Sequence, residues 1–263
     1  MELSNSLIKT IHNLERAKCR RETGLFKAEG TKCVTDTLGA FGLHALVATD
    51  RWLTEHRPAD IPPHLIVKAP VAAMQRMSSL STPPEVIAVH HLPQELSPAD
   101  AIDRNGLTLA LDTIQDPGNL GTIIRTADWM GIHHIVCSSG TADLYSPKVV
   151  QSTMGSISRV RLCYTPLPEL LAHAADSGLD VYGTFLDGEN IYTAGINAAR
   201  GIIVVGNEGS GISPEVEATV TRRLHIPSYP AGAATGESLN AAIATAIVIS
   251  EFRRRNIKHH GKD

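Results

Sequence analysis

The chain has no uninterrupted apolar run of the roughly 18–20 residues that a membrane-spanning helix needs. Its longest apolar stretch, 241–249, contains Thr245 and is too short. The opening residues, 1–7, mix polar and apolar side chains with no charged region leading into an apolar one, so no signal peptide is expected. Cysteine is sparse: Cys19, Cys33, Cys137 and Cys163 stand apart, with no CxxC pair. That argues against a zinc ribbon or a disulfide framework and fits a reducing, cytoplasmic setting. The 12 histidines include no HExxH and no Cys/His quartet. The neighbours His90-His91, His133-His134 and His259-His260 diverge on a strand, so no metal site is expected. Internal repeats and low-complexity segments are missing as well. So is an excess of positive charge, since the formal net charge is −3.

What is present suffices for a globular protein with a core of its own. The 263 residues are 43% hydrophobic and 19% charged, enough for one large domain or two small ones. Charge is unevenly spread. Residues 1–32 hold seven Lys/Arg, among them Lys18, Arg20, Arg21 and Lys27, against four Glu, and the tail carries Arg253, Arg254, Arg255, Lys258 and Lys262. On charge alone these are solvated helix faces.

The first ninety residues read as a small α/β unit. Ser4 can cap a helix with the stripe Leu7, Ile11 and Leu14, and short extended segments are expected at 26–29, 43–48, 65–67 and 86–89. Pro62-Pro63 and Pro83-Pro84 mark turns. Periodicity fades over 91–105, around Pro93 and Pro98, which predicts a domain at 1–92, a linker at 93–105 and a second domain at 106–263. From the apolar strand at 107–112 onward, strand and helix patterns alternate, as in a mostly parallel α/β sheet covered on both faces. A closing helix is expected from about 237 to 255.

Three segments of that second domain carry chemistry. The strand at 107–112 runs into Thr-Ile-Gln-Asp-Pro-Gly-Asn-Leu-Gly121 and then a helix, which places Asn119 and Arg125 where a ribose-phosphate could be held. Singly, Asp116-Pro117-Gly118 is a turn and Arg125 a surface charge. A second strand feeds Gly206-Asn207-Glu208-Gly209-Ser210-Gly211, where glycines permit close backbone approach and Glu208 disfavours a phosphate while suiting a sulfonium. The third is Ile226-Pro227 followed by Glu237-Ser238-Leu239-Asn240 and a helix of small residues, in which Asn240 could simply be a cap.

Together, NxGxxxR, GNEGxG and IP…ESLN, in this order after successive strands, resemble the SpoU/TrmH branch of the SPOUT RNA methyltransferases. The resemblance covers 107 to about 255. The N-terminal pattern around Arg20-Arg21-Glu-Thr-Gly-Leu-Phe-Lys27-Ala-Glu-Gly30 is similar to the small L30e-like RNA-binding domain often appended to these enzymes. The resemblance implies an α/β domain with a deep trefoil knot, a homodimer, S-adenosylmethionine as cofactor and methylation of a ribose 2′-hydroxyl in RNA, with ribosomal RNA favoured over tRNA. By position it also implies cofactor contacts from Gly206, Asn207, Gly209, Ile226 and Leu239. Arg125 matches the catalytic arginine; Asn119, Glu208, Ser238 and Asn240 would position ribose and cofactor, and Lys18, Arg20, Arg21 and Lys27 would touch RNA. One departure stands out: Ser228 follows Ile226-Pro227 where the family has Met, and the turn at 229–236 is longer than usual. The alternatives are an RNA-binding homologue without activity and a phosphate-binding α/β enzyme. Glu208 and the lack of a P-loop lysine disfavour the second.

Overall fold

The computed structural model describes residues 2–56, 59–230, 236 and 238–260. These form two compact units: Met1–Gln94 together with Asp143–Ser158, and Glu95–Ala142 together with Arg159–Asp263.

In the first unit, α1 (Asn5–Asn13) begins where Leu7 N donates to Ser4 Oγ at 3.1 Å, a side-chain cap on an otherwise free amide. Its buried stripe runs through Ile8 and Ile11 towards Leu14, with Leu7 at the margin. A second helix, α2 (Ala17–Thr23), stops at Gly24, whose φ of 67° is the left-handed ending that glycine adopts freely. There follow β1 (Leu25–Glu29), α3 (Thr31–Thr37), β2 (Leu43–Ala48), α4 (Asp50–His56), β3 (Ile66–Lys68), α5 (Val71–Met77) and β4 (Val86–His91). The sheet order is β1-β4-β2-β3, with β4 antiparallel to both neighbours and β2 parallel to β3. Alternate residues Ala45 and Val47, and Ile87 and Val89, share a core with α1 and with Met74 and Met77 of α5, as the period of two in a strand requires.

The second unit starts with β5 (Leu107–Leu111), α6 (Pro117–Trp129) and β6 (His134–Cys137). The next segment, containing α7 (Pro147–Ser152), belongs to the first unit, where α7 packs on β1. The chain then continues in the second unit through β7 (Arg161–Tyr164), α8 (Leu167–Asp176), β8 (Val181–Phe185), β9 (Glu189–Asn190), β10 (Gly201–Val205), α9 (Pro214–Glu217), β11 (Arg222–His225) and α10 (Ala241–His260). Its seven strands are ordered β7-β6-β5-β10-β8-β11-β9 and every pair is parallel. Every residue of β5 and β10 is buried, as expected of central parallel strands covered on both faces. Leu111 lies opposite both Val205 and Cys137, so the strands end at one edge and their following loops converge there.

The structure departs from sequence expectation in several places. The segment expected to be a linker is docked: Ala101 is fully buried, Leu96 and Ile102 pack on the second core, and Cys163 Sγ donates to Leu96 O at 3.2 Å. Helix α6 starts five residues earlier than the apolar pattern suggested, because Asp116 caps it and Pro117 suits its first position. The short helices α2, α4 and α5 offer too few turns for a clear period. Of the long turn at 229–236, residues 231–235 lie outside the described residues, as does Glu237. No helix among the described residues is long and apolar enough to cross a membrane, and none of their His, Cys, Asp and Glu side chains group in threes that could hold a metal.

Candidate active site

The site is built where β5 and β10 end. Past β5, buried Asp112 extends the ladder, its N donating to Val205 O at 2.9 Å, and its Oδ2 accepts from Ser213 N at 2.8 Å. Thr113 then takes φ 59°, a left-handed conformation that β-branched residues rarely adopt. Two contacts hold it there. Its N donates to Ser138 Oγ at 2.8 Å, and its carbonyl accepts from Asn207 Nδ2 at 2.9 Å. The chain is thereby turned into α6, where Asn119 N donates to the capping Asp116 Oδ1 at 2.8 Å.

The loop after β10 is shaped by Asn207. Its Oδ1 accepts from Gly209 N at 2.8 Å and Ser210 N at 3.1 Å, and its backbone exchanges two 2.9 Å bonds with Gly211. The loop closes so tightly that a Cβ on Gly206 would lie 2.3 Å from the carbonyl carbon of Gly211. Only glycine fits there. Asn207 is therefore occupied in building the loop.

At the start of α10, Asn240 Oδ1 accepts from Ala242 N at 3.0 Å and Ile243 N at 3.2 Å, so the residue is a cap. It has a second use, because its Nδ2 donates to Asn119 Oδ1 at 3.0 Å. Asn119 Nδ2 in turn donates to the Glu208 carboxylate, and Ser238 Oγ donates to Glu208 O at 3.3 Å. Asn119, Glu208, Ser238 and Asn240, from three distant segments, thus form one hydrogen-bonded chain.

Beside that chain opens a cavity of about 590 Å³, in the range of small-molecule sites. It is lined by Leu186, Gly206, Glu208, Arg223, Ile226 and Leu239 among others, including Asn207 and Gly209. Three carboxylates, Asp187, Glu208 and Glu217, line it against the single guanidinium of Arg223, a balance that favours a ligand carrying positive charge. The sequence pattern alone did not point to Asp112, Thr113, the 185–187 segment or Arg223. An acidic residue at the end of an apolar strand was the signal available for Asp112.

Arg125 stands apart from the cavity. It is exposed on α6, does not line the pocket, and its guanidinium has no hydrogen bond or ion pair among the described residues. On the same face lies Trp129, 87% exposed.

The proposed RNA contacts of the first unit divide in two. Lys18 and Arg21 are exposed. Arg20 and Lys27 are not, and their assignment as RNA contacts is corrected. Arg20 is buried, donating to Leu14 O at 2.6 Å, to Glu15 O at 2.9 Å and to Asp143 Oδ2 at 2.5 Å. Lys27 is 0% exposed; its Nζ donates to Met77 O at 2.7 Å and pairs with Glu29 at 3.0 Å. Both faces of β1 are covered, so even its charged side chains point into protein.

Comparison with known proteins agrees with this architecture of a small unit with a four-stranded sheet and a second unit with a parallel sheet. The description SpoU rRNA Methylase family matches residues 106–250, and MRM3-like substrate binding domain matches residues 5–88. The chain is 31% identical over 252 residues to the 23S rRNA (guanosine(2553)-2'-O)-methyltransferase RlmP of Bacillus subtilis, covering 95% of this chain and 96% of that one. A solved TrmH-family protein from Porphyromonas gingivalis superimposes with a TM-score of 0.87 at 42% identity, covering 96% and 99% of the two chains. An AdoMet-bound rRNA methyltransferase from Sinorhizobium meliloti gives 0.84 at 29% identity, covering 97% and 98%. The chain belongs to the SpoU rRNA methylase family.

Proposed function

We propose that this protein is an enzyme that transfers a methyl group from S-adenosylmethionine to a ribose 2′-hydroxyl of RNA, ribosomal RNA being the favoured substrate. The observation that carries the reading is the convergence of Asn119, Glu208, Ser238 and Asn240 beside a cavity that suits the cofactor. Apolar Leu186, Ile226 and Leu239 offer a surface for a base, Gly206 keeps the loop backbone bare of side chain, and the carboxylates match a cationic ligand. When bound, S-adenosylmethionine supplies a methyl group already activated on a sulfonium.

The chain's own residues must then orient the hydroxyl and manage its proton. Asn119 donates to Glu208 and is itself held by Asn240, and in this reading Glu208 relays that proton. An arginine keeps its proton below a pH of about 12 and is a poor base. Arg125 therefore serves as an anion clamp, gripping a phosphate beside the ribose and stabilising charge that develops on the oxygen, worth about 3–4 kcal/mol by analogy with single oxyanion donors.

A homodimer through the second unit belongs to the same reading, supported by the exposed Trp129 on α6 and Ile243 on α10, which is 53% exposed. So do the trefoil knot, matched by the 204–211 and 224–240 segments, RNA contact by Lys18 and Arg21, and a cytoplasmic setting. Tritium transfer from labelled S-adenosylmethionine into RNA of a strain lacking this gene, followed by nucleotide mapping, tests the reaction. Label at a 2′-O-methyl nucleotide is expected. Label on a base, or none from a protein that binds the cofactor, overturns it.

A further inference from the structure

Arg223 of β11 is the one cation among the described residues lining the cavity, and it is fully engaged. Its Nη2 donates to Asp187 Oδ1 at 2.6 Å, and its Nη1 pairs with Glu217 of α9. The guanidinium carbon also lies 3.7 Å from the centroid of the Phe185 ring, a cation–π stack. One side chain therefore ties together the segment that leaves β8, the helix α9 and its own strand.

The backbone confirms how closely that segment is pressed down. The Phe185 ring folds back over Gly183, where a Cβ would sit 2.5 Å from it. A Cβ on Gly188 would lie 2.9 Å from the backbone of Arg223. Between the two held residues, Phe185 and Asp187, Leu186 is 75% exposed and lines the cavity. An exposed leucine held on both sides by contacts to one arginine is a built wall.

We propose that Arg223 is a positioning residue for the cofactor: it straps the 185–187 segment so that Leu186 forms a fixed apolar wall for the flat base. The inference rests on the reading of this cavity as the cofactor site. Because the guanidinium is spent on Asp187 and Glu217, it leaves Glu208 uncompensated, and the cavity keeps its preference for a positively charged ligand. Ordering the wall before the ligand arrives removes an entropic cost from binding, so losing the strap weakens affinity.

The test is calorimetric binding of S-adenosylmethionine to the full chain, with melting temperature and methyl transfer measured alongside. Arg223→Ala should weaken binding about tenfold, equivalent to about 1.4 kcal/mol. Transfer at saturating cofactor should stay within about twofold of the parent, the pattern of lost ground-state binding. Arg223→Lys should restore only part, because an ammonium cannot bridge two carboxylates and stack on a ring at once. Asp187→Asn changes an exposed side chain, keeps the fold, and should weaken binding several-fold even if Arg223→Ala fails to fold. Leu239→Arg, which sets a cation into the cavity, should abolish binding. If Arg223→Ala or Asp187→Asn binds like the parent while Leu239→Arg does not bind, the strap is refuted and the cavity reading stands. If Leu239→Arg also binds normally, both fall.

Discussion

Asn240 donates from Nδ2 to Asn119 Oδ1 at 3.0 Å, across 121 residues of sequence, while its own Oδ1 caps α10. One amide thus joins the start of the closing helix to the first turn of α6, and through Asn119 to Glu208.

Separate substitutions should divide these duties. Asn240→Asp keeps an acceptor for the cap but loses the donor to Asn119, so stability should change little while methyl transfer falls. Asn240→Ala loses both and should cost about 1 kcal/mol of stability for the cap as well. Denaturant unfolding beside tritium transfer separates the two. Equal stability losses in both variants would count against the capping role.

Arg125→Ala should lower turnover by about 10²–10³-fold, the usual effect of removing one preorganised charge stabiliser. Cofactor affinity should be unchanged, because Arg125 does not line the cavity. Arg125→Lys should recover little if the planar fork grips a phosphate. Near-normal turnover in Arg125→Ala, measured by single-turnover transfer, would remove Arg125 from the reaction.

Lys27 and Lys18 should behave oppositely. Lys27→Met removes the cation paired with the buried Glu29 carboxylate, which keeps its hydrogen bonds from Ser78 and Ser79, so a stability loss of at most about 3–5 kcal/mol is expected. Lys18→Ala together with Arg21→Ala should leave the melting temperature alone and weaken RNA binding, with a shallower dependence on salt. RNA affinity unchanged by the double substitution would move the RNA contacts elsewhere.

His90 predicts a pH dependence. It is buried on β4 against Phe26 and Phe41, its Nε2 lies 3.1 Å from Thr37 Oγ1, and its Nδ1 has no partner among the described residues. Burial, with the nearby His91 charge second, pulls its pKa from 6.5 down to about 4. As pH falls below 6.5 the unfolded chain takes up a proton that the folded chain refuses until about pH 4. Stability should therefore drop across that window by about 3 kcal/mol and be insensitive to this group above it. His90→Phe should flatten that part of the pH–stability curve. An unchanged curve would show that His90 is not the group responsible.

Much of the second unit could be read from sequence because its signals are local. β5 and β10 are short apolar runs bounded by loops, and each feeds directly into the Asn119 or the Gly206–Asn207–Glu208 segment. The first unit was harder. Its α2, α4 and α5 have seven residues each, about two turns, too few for a period to stand out.

From sequence alone come the parallel α/β pattern, the glycine-rich loop at 206–211, and the order of the three segments that resemble the family. Only the tertiary structure decided which charges remain available. Lys27 and Arg20 look like their exposed neighbours Lys18 and Arg21, but the covering of both faces of β1 and the docking of Asp143 in the same unit turn them inward. It also decided that Asn119 meets Asn240 and that Arg223 straps Phe185 and Asp187. Those contacts arise from crossovers that bring distant loops to one edge of the sheet, and no local periodicity encodes them.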